Sequence, residues 1–447
     1  MRILNRREFL KYSLTAGAAM ALSACENMPE QSNQPLSQNT EHAKGRRKVV
    51  IIGGGVGGAT AAKYIRKADA RIEVTLIEPK ISYTTCFGSN WVVAGIKDFA
   101  GLEHSYQDLR EKYGVKILHD SVTQIDPDKR KVITQDGRNL YFERLIVSPG
   151  IDFHWNEIVD YTEEVSYEFP HAWQAGEQTK LLIRQLHAMR NGGTVIIAPP
   201  RDPFRCPPGP YERASMIAHY LKQHKPRSKI LILDAKDSFS KRTLFLQGWE
   251  KTYGYGTDHA MIEWIPAAQD GRVLQFDPIN KTVYAEFGKQ KADVINIIPA
   301  QKAGQIAHSA GLTDETGWCP VHHRTWESSK IPHVHVIGDA SIAGGLPKSG
   351  YAANSEAKVC ALAVVALMNG QQVRVPSWIN TCYSLVTPLY GISVAMVYKV
   401  NEKDEIYAVD GAGGVSQSDY DGVAGNKLAE AIYAKNWYEN ITADIFH

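Results

Sequence analysis

Glycines at one fixed spacing and an acid at another are the first residues of this chain that could do chemistry. In Lys48-Val-Val-Ile-Ile-Gly53-Gly-Gly55-Val-Gly-Gly58, Gly-x-Gly-x-x-Gly follows five residues of buried-strand character, and a small-residue helical pattern opens behind it. The first glycine permits a tight turn and the second lets backbone approach a pyrophosphate. The third lets helix and strand pack closely, so that the helix N-terminal N–H groups point at the anion. A second strand, from Ile72, ends in Glu78, 20 residues past Gly58, where a carboxylate can take ribose hydroxyls. A glycine-rich hairpin turn would explain the glycines but not the strand, spacing and acid together. The stretch predicts a bound dinucleotide.

Farther along, His333-Val-His-Val-Ile-Gly338-Asp339 reads as a strand ending in Gly-Asp, and Pro347-Lys348-Ser-Gly350 introduces a helical run from Tyr351 to Met368. Asp339 alone could be a strand-end cap. With Gly53–Gly58 upstream it is expected to accept hydrogen bonds from a flavin's ribityl or ribose hydroxyls, so FAD is the expected cofactor. The helix behind Lys348 would aim its positive end at the flavin pyrimidine, where negative charge develops on reduction.

These residues need a frame to hold them. Gly114 to Asp126, containing Val122, reads as one alternating strand of the first unit, and Arg144 to Val147 as another that stops at Pro149-Gly150. The candidate cofactor-binding residues in this frame are Gly53, Gly55, Gly58, Glu78, Val122, Gly150, Gly338, Asp339 and Lys348. A helix-like stretch, Glu177 to Asn191, then leads to a second buried strand, Gly193 to Ala198, and a third from Ser228 to Asp234. Between them the loop reads Pro199-Pro200-Arg-Asp-Pro-Phe-Arg-Cys206-Pro-Pro-Gly-Pro-Tyr-Glu212. Prolines and a cysteine stand where glycines would receive a pyrophosphate, which disfavours nicotinamide binding. Asp293 to Pro299 is expected to return the chain toward the first unit. The fold class expected is α/β: two Rossmann-like nucleotide-binding domains, glutathione-reductase-like, plus a C-terminal α+β interface domain. The expected boundaries are 46–158 with 300–372 for a discontinuous FAD domain, 159–299 for the degenerate second domain and 373–447 for the tail.

The formal charge of +2 is uneven: residues 1–47 carry seven Lys/Arg against four acids, and the body is near neutral. No nucleic-acid footprint is expected, and without 18 consecutive apolar residues a spanning helix is disfavoured. Asn5-Arg6-Arg7-Glu8-Phe9-Leu10-Lys11 resembles a twin-arginine export signal and precedes a short apolar stretch. Leu22-Ser-Ala-Cys25 resembles a bacterial lipobox; a lipid anchor at Cys25 and plain cleavage after Ala24 both fit. Residues 26–45 read as a flexible tether, so residues 1–45 form an address, and a periplasmic location is the expectation.

Five further cysteines remain: Cys86, Cys206, Cys319, Cys360 and Cys382. No Cys-x-x-Cys or Cys-x-x-Cys-His occurs, so neither a metal site nor a haem on this chain is expected. Cys360 reads as a core residue and Cys319 as buried beside a turn; spacing alone pairs none of the other three. The strings Arg205-Cys-Pro-Pro-Gly-Pro-Tyr-Glu-Arg-Ala-Ser, Ala175-Gly-Glu-Gln-Thr and Gly317-Trp-Cys-Pro resemble segments of the flavoprotein subunit of flavocytochrome c sulfide dehydrogenase. So do Ile337-Gly-Asp-Ala-Ser-Ile-Ala, Pro347-Lys-Ser-Gly-Tyr and Asn380-Thr-Cys-Tyr-Ser, and the similarity spans about 46–447.

The resemblance implies that Cys206 and Cys382 form a redox disulfide over the flavin. It also implies that Cys86 joins FAD through a thioether, that Glu212 accepts a proton, and that a small c-type cytochrome subunit takes the electrons. Hydrosulfide would attack the disulfide, giving a persulfide and a thiolate, and two electrons would pass to FAD. Around Cys86 the chain departs from the family, with Thr84 and Trp91 where a Tyr and an acid often stand. The competing readings are a sulfide:quinone oxidoreductase at the membrane surface, and a flavin-binding sulfur carrier without catalysis.

Overall fold

The computed structural model describes residues 47–155, 157–418 and 426–447. The twin-arginine stretch, Cys25 and the tether lie outside them.

Strand β1 (Lys48–Ile52) buries every residue but the first, because a parallel strand is covered on both faces. Each such branched side chain taken from water contributes about 1.5–3 kcal/mol. Helix α1 (Val56–Ala68) follows, with a face of glycine and alanine against the sheet. Then come β2 (Glu73–Ile77), the short helix α2 (Ser89–Val93), β3 (Lys116–Leu118) and β4 (Arg144–Val147). Gly114 to Asp126 is therefore two elements rather than one strand. Lys116–Leu118 joins the parallel sheet, whereas Val122–Asp126 belongs to a separate three-stranded antiparallel sheet. The break is a turn at Asp120, whose carboxylate accepts from Ser121 N at 2.7 Å while its own N–H donates to Leu118 O.

The second unit contains α3 (Glu177–Ala188), β5 (Thr194–Ala198), α4 (Gly209–His224), β6 (Lys229–Leu233), α5 (Arg242–Tyr253), β7 (Ile262–Ile265) and β8 (Val294–Ile297). Its parallel sheet runs β7-β6-β5-β8. Asp293 to Pro299 thus completes this sheet before the chain leaves it. The crossing is made by Ile151–Phe153 and Gln301–Ala303, paired antiparallel as outgoing and returning strands.

The returning chain adds β9 (Val334–Val336) beside β4, giving a seven-stranded sheet in the order Val321–His322, Glu327–Ser328, β9, β4, β1, β2, β3. Helix α6 (Gly350–Met368) packs on α1. Among the described residues it has the length and apolarity of a membrane span, yet Ala352, Ala357, Cys360, Ala361 and Val364 are buried in the core. The tail is an antiparallel sheet, β10 (Ser377–Thr387), β11 (Tyr390–Val400) and β12 (Ile406–Val415), followed by α7 (Lys427–Phe446). Strand β10 lies against α4 and α6, which carries the tail onto both nucleotide-binding units. The architecture is the expected α/β one.

Candidate functional site

The C-terminal ends of β1, β2, β4 and β9 open onto a cavity of about 340 Å³, and the N-terminal ends of α4 and α6, together with β10, close it. At the glycine turn, Gly53 has φ +95°, and a Cβ there would lie 2.3 Å from Ser148 O. A Cβ on Gly58 would lie 1.8 Å from Gly53 O. Gly58 is therefore the helix–strand packing glycine and stands behind the wall, while Gly53 and Gly55 line the cavity. Glu78 also lines it, with Oε2 accepting from Gly54 N at 2.8 Å and Oε1 from Lys80 N at 3.0 Å. Gly54, which the spacing rule leaves unassigned, is required by this contact: a Cβ there would meet Tyr106 Oη at 2.6 Å and the Glu78 side chain.

Gly150 (φ +67°), Gly338 (φ +75°) and Asp339 line the same cavity. Among the described residues Asp339 Oδ1 is buried with no hydrogen-bond partner, and Oδ2 lies 3.8 Å from the Arg205 guanidinium. Burial pushes its pKa up, opposed by Arg205 and Lys348. An orphaned acceptor on the cavity wall is suited to a ligand hydroxyl. Ser349 caps α6 by accepting from Ala352 N at 3.0 Å, and Ser349, Gly350 and Tyr351 face the cavity, so a 19-residue helix presents its positive end there. The cradle, the orphaned carboxylate and the capped helix fit FAD. Gly53, Gly55, Glu78, Gly150, Gly338 and Asp339 are the residues that would hold it.

Besides Gly58, two of the candidate residues stand away from the cavity. Val122 begins a strand of the separate antiparallel sheet and does not line the cavity. The side chain of Lys348 turns away from it. Its Nζ donates to Asp339 O at 2.8 Å and Ser341 O at 2.7 Å and sits 3.8 Å from the Trp318 ring centroid, on a separate cavity. Burial lowers its pKa to about 8. Lys348 is thus a strut under the Asp339 turn, and its backbone carbonyl receives Cys206 N at 2.7 Å.

Cys86, Cys206 and Cys382 all reach the flavin-side cavity as free thiols. Cys86 precedes α2, and its carbonyl accepts from both Ser89 N and Ser89 Oγ. Cys206 adopts a left-handed backbone, φ 58°, which costs a non-glycine residue about 1–3 kcal/mol and marks a functional position when the surroundings enforce it. Here Lys348 O and the bond from Gly209 N to Cys206 O enforce it, and Pro207, Pro208 and Pro210 stiffen the entry to α4. Gly209 was not foreseen: a Cβ there would crowd Cys206 Sγ at 3.1 Å and Trp173 at 2.7 Å. Cys382 comes from β10 of the tail and lines the same cavity. Burial raises both thiols, and each is also raised by Glu212, while Lys241 opposes the rise.

Glu212 lines the same cavity with both oxygens engaged. Oε1 accepts from Trp91 Nε1 at 3.1 Å and Leu385 N at 2.9 Å, and Oε2 accepts from Asn90 Nδ2 at 3.0 Å. It ties α2, α4 and β10 together, and Trp91, the departure from the family pattern, is one of its donors. Arg213, buried beside it, donates to Asn90, His171, Ala172 and Asn296, and burial lowers its pKa to about 10. Arg205 was legible only as a neighbour of Cys206. Lys241 carried no signal at all, because its contact with Cys382 spans 141 residues.

Two parallel Rossmann units joined by crossed strands, with cysteines facing the nucleotide cradle, are the plan of the two-dinucleotide-binding disulfide oxidoreductase flavoproteins. A family model described as pyridine nucleotide-disulphide oxidoreductase matches residues 47–174. The model described as the central part of the sulfide dehydrogenase [flavocytochrome c] flavoprotein chain matches 179–299, and the one described as flavocytochrome c sulphide dehydrogenase, flavin-binding, matches 374–446. The chain belongs to the family of flavocytochrome c sulfide dehydrogenase flavoprotein chains. A flavoprotein chain of that description from Chlorobaculum thiosulfatiphilum is 56% identical over 48 residues, 11% of this chain and 100% of that sequence. A mitochondrial sulfide:quinone oxidoreductase of Dictyostelium discoideum is 24% identical over 360 residues, covering 77% of this chain and 76% of its own length. The X-ray structure of the sulfide:quinone oxidoreductase from Aquifex aeolicus superposes with a TM-score of 0.65 at 18% identity, covering 90% of this chain and 92% of that one.

Proposed function

We propose that this chain is an FAD-dependent sulfide dehydrogenase that works through Cys206 and Cys382 and delivers electrons to a c-type cytochrome subunit. The observation that carries the reading is the convergence of these two cysteines, from separate elements, on the cavity that holds the dinucleotide cradle. In the working oxidised state they form a disulfide. Hydrosulfide attacks one sulfur, leaving a persulfide on that cysteine and a thiolate on the other. Glu212, whose charge both sulfurs feel, then takes the proton that the persulfide carries. The stiff, hydrogen-bonded Cys206 turn holds the reacting sulfur in place. When bound, FAD supplies a two-electron acceptor that can give electrons up singly. Cys86 tethers it by a thioether, so acid precipitation should leave flavin with the protein. Residues 1–45 export the chain by the twin-arginine route to the periplasm, with a lipid anchor at Cys25.

The test is anaerobic mixing of the purified protein with sulfide. Rapid loss of the oxidised flavin absorbance is expected, and NADH should leave the band unchanged. No bleaching by sulfide would overturn the proposal. The likeness to sulfide:quinone oxidoreductases over three quarters of the chain favours a second reading, with quinone as acceptor. Block of turnover by a quinone analogue in a cytochrome-free assay would select it.

A further inference from the structure

Lys241 is a buried lysine, 6% exposed, at the start of α5 in the second unit. Its backbone is left-handed, φ 61°. From there its side chain crosses to β10, where Nζ donates to Cys382 O at 3.1 Å and Ser384 Oγ at 2.9 Å and lies 3.9 Å from Cys382 Sγ. Among the described residues it forms no ion pair with a carboxylate, in contrast to half-buried Lys236, which pairs with Asp234 at 2.8 Å. A buried ammonium without a counter-ion is costly unless something nearby can carry negative charge. Of the groups Lys241 touches, the Cys382 sulfur is the one that becomes an anion.

We propose that Lys241 is the cationic partner of the Cys382 thiolate, which makes Cys382 the leaving sulfur and directs hydrosulfide to Cys206. The assignment of direction rests on the function proposed above; the pairing of Lys241 with Cys382 does not. In the exchange, the S–S bond breaks as the bond from incoming sulfur to Cys206 Sγ forms. The products are a Cys206 persulfide bearing the proton and a Cys382 thiolate holding the electron pair and the charge that entered as HS⁻. The thiol of lower pKa is the better leaving group, and the groups around the pair are arranged unequally. Lys241 contacts Cys382. Burial and Glu212 raise both thiols, and Lys241 opposes the rise at both; Arg205 also opposes it at Cys206, but it is the Cys382 sulfur that lies within hydrogen-bonding reach of Lys241 Nζ. Burial disfavours both thiolates, so the one in contact with a cation is formed first.

The experiment uses the full-length holoprotein, reduced, with iodoacetamide alkylation of Cys206 and Cys382 followed against pH by peptide mass. In the wild type, Cys382 should react at lower pH than Cys206; the reverse order would overturn the pairing without any variant. Lys241→Met should slow Cys382 alkylation near pH 7 by about tenfold or more, the change expected for each unit of thiol pKa. Lys241→Arg should restore most of the rate, and an unchanged Cys382 profile in Lys241→Met would overturn the pairing. Treating oxidised protein with hydrosulfide and trapping at once should place the persulfide on Cys206; a persulfide on Cys382 would overturn the direction. Since alkylation requires no turnover, a protein with the expected alkylation order and no sulfide-dependent bleaching would keep Lys241 and discard the proposed function.

Discussion

The two Rossmann units share a strand–loop–helix frame, and the loop at its centre sets their chemistry apart. In each, a buried parallel strand, β1 or β5, runs through a turn into a helix, α1 or α4. In the first unit the turn is glycine: backbone stands bare at Gly53 and Gly55, and Glu78 is tied to Gly54 N. In the second unit the turn is proline-rich and longer, and it lifts a cysteine in a left-handed conformation onto the wall of the first unit's cavity. The same strand–loop–helix geometry receives an anion when the loop offers N–H groups and presents a nucleophile's target when it offers a constrained sulfur.

The sharpest way to break the contrast is at the sulfur. Cys206→Ser and Cys382→Ser should each lower sulfide oxidation by roughly 10³-fold or more, since exchange has no sulfur to attack, while flavin content stays intact. Retained turnover would reduce the second loop to a structural feature.

Next in size is the glycine side. Gly53→Ala places a Cβ 2.3 Å from a backbone oxygen at a positive φ, costing roughly 2–5 kcal/mol. Low flavin occupancy and a depressed urea midpoint are expected; normal occupancy would mean that the cradle is not what binds.

A third effect lies under the Gly338–Asp339 turn, where Glu356 accepts from Gly338 N at 2.7 Å. Burial raises its pKa from 4.5 to about 8. The folded state therefore holds this proton more tightly than the unfolded chain. The stabilisation is full below pH 4.5 and is lost as pH rises through about 8. Urea midpoints should fall over that window, and Glu356→Gln should flatten the curve. An equally steep curve in the variant would assign the slope to other groups.

The smallest effect is the stiffness of the second loop. Pro207→Gly should destabilise by about 0.4–1 kcal/mol through the unfolded state and lower turnover by loosening the Cys206 turn. A rise in turnover would show that rigidity there limits the reaction.

Much of the frame was legible because it is local. Branched strands, glycine spacing, the Gly-Asp strand end and the small-residue helix each carry their reason within a few residues. Lys348 misled because a cation near a Gly-Asp turn looks like a ligand, whereas burial and two backbone carbonyls captured it as a strut. Val122 misled because alternation persists across Asp120, where a side-chain-capped turn splits the strand. Glu212 was legible as an acid beside the cysteine loop, but its three donors, from α2 and β10, were not.

By itself, then, the sequence determined which chain segments could form parallel strands, where a pyrophosphate could approach backbone, and which loop had traded glycine for proline and cysteine. These depend on side-chain size, branching and φ preference over short spans. Only the tertiary structure decided that Cys382, on a strand of the tail, lines the same cavity as Cys206, and that, among the described residues, Lys241 lies against its sulfur without a carboxylate and Asp339 keeps an unpaired oxygen in the cavity. Contacts between segments more than a hundred residues apart are set by how the tail packs across both units, and no local pattern encodes that packing.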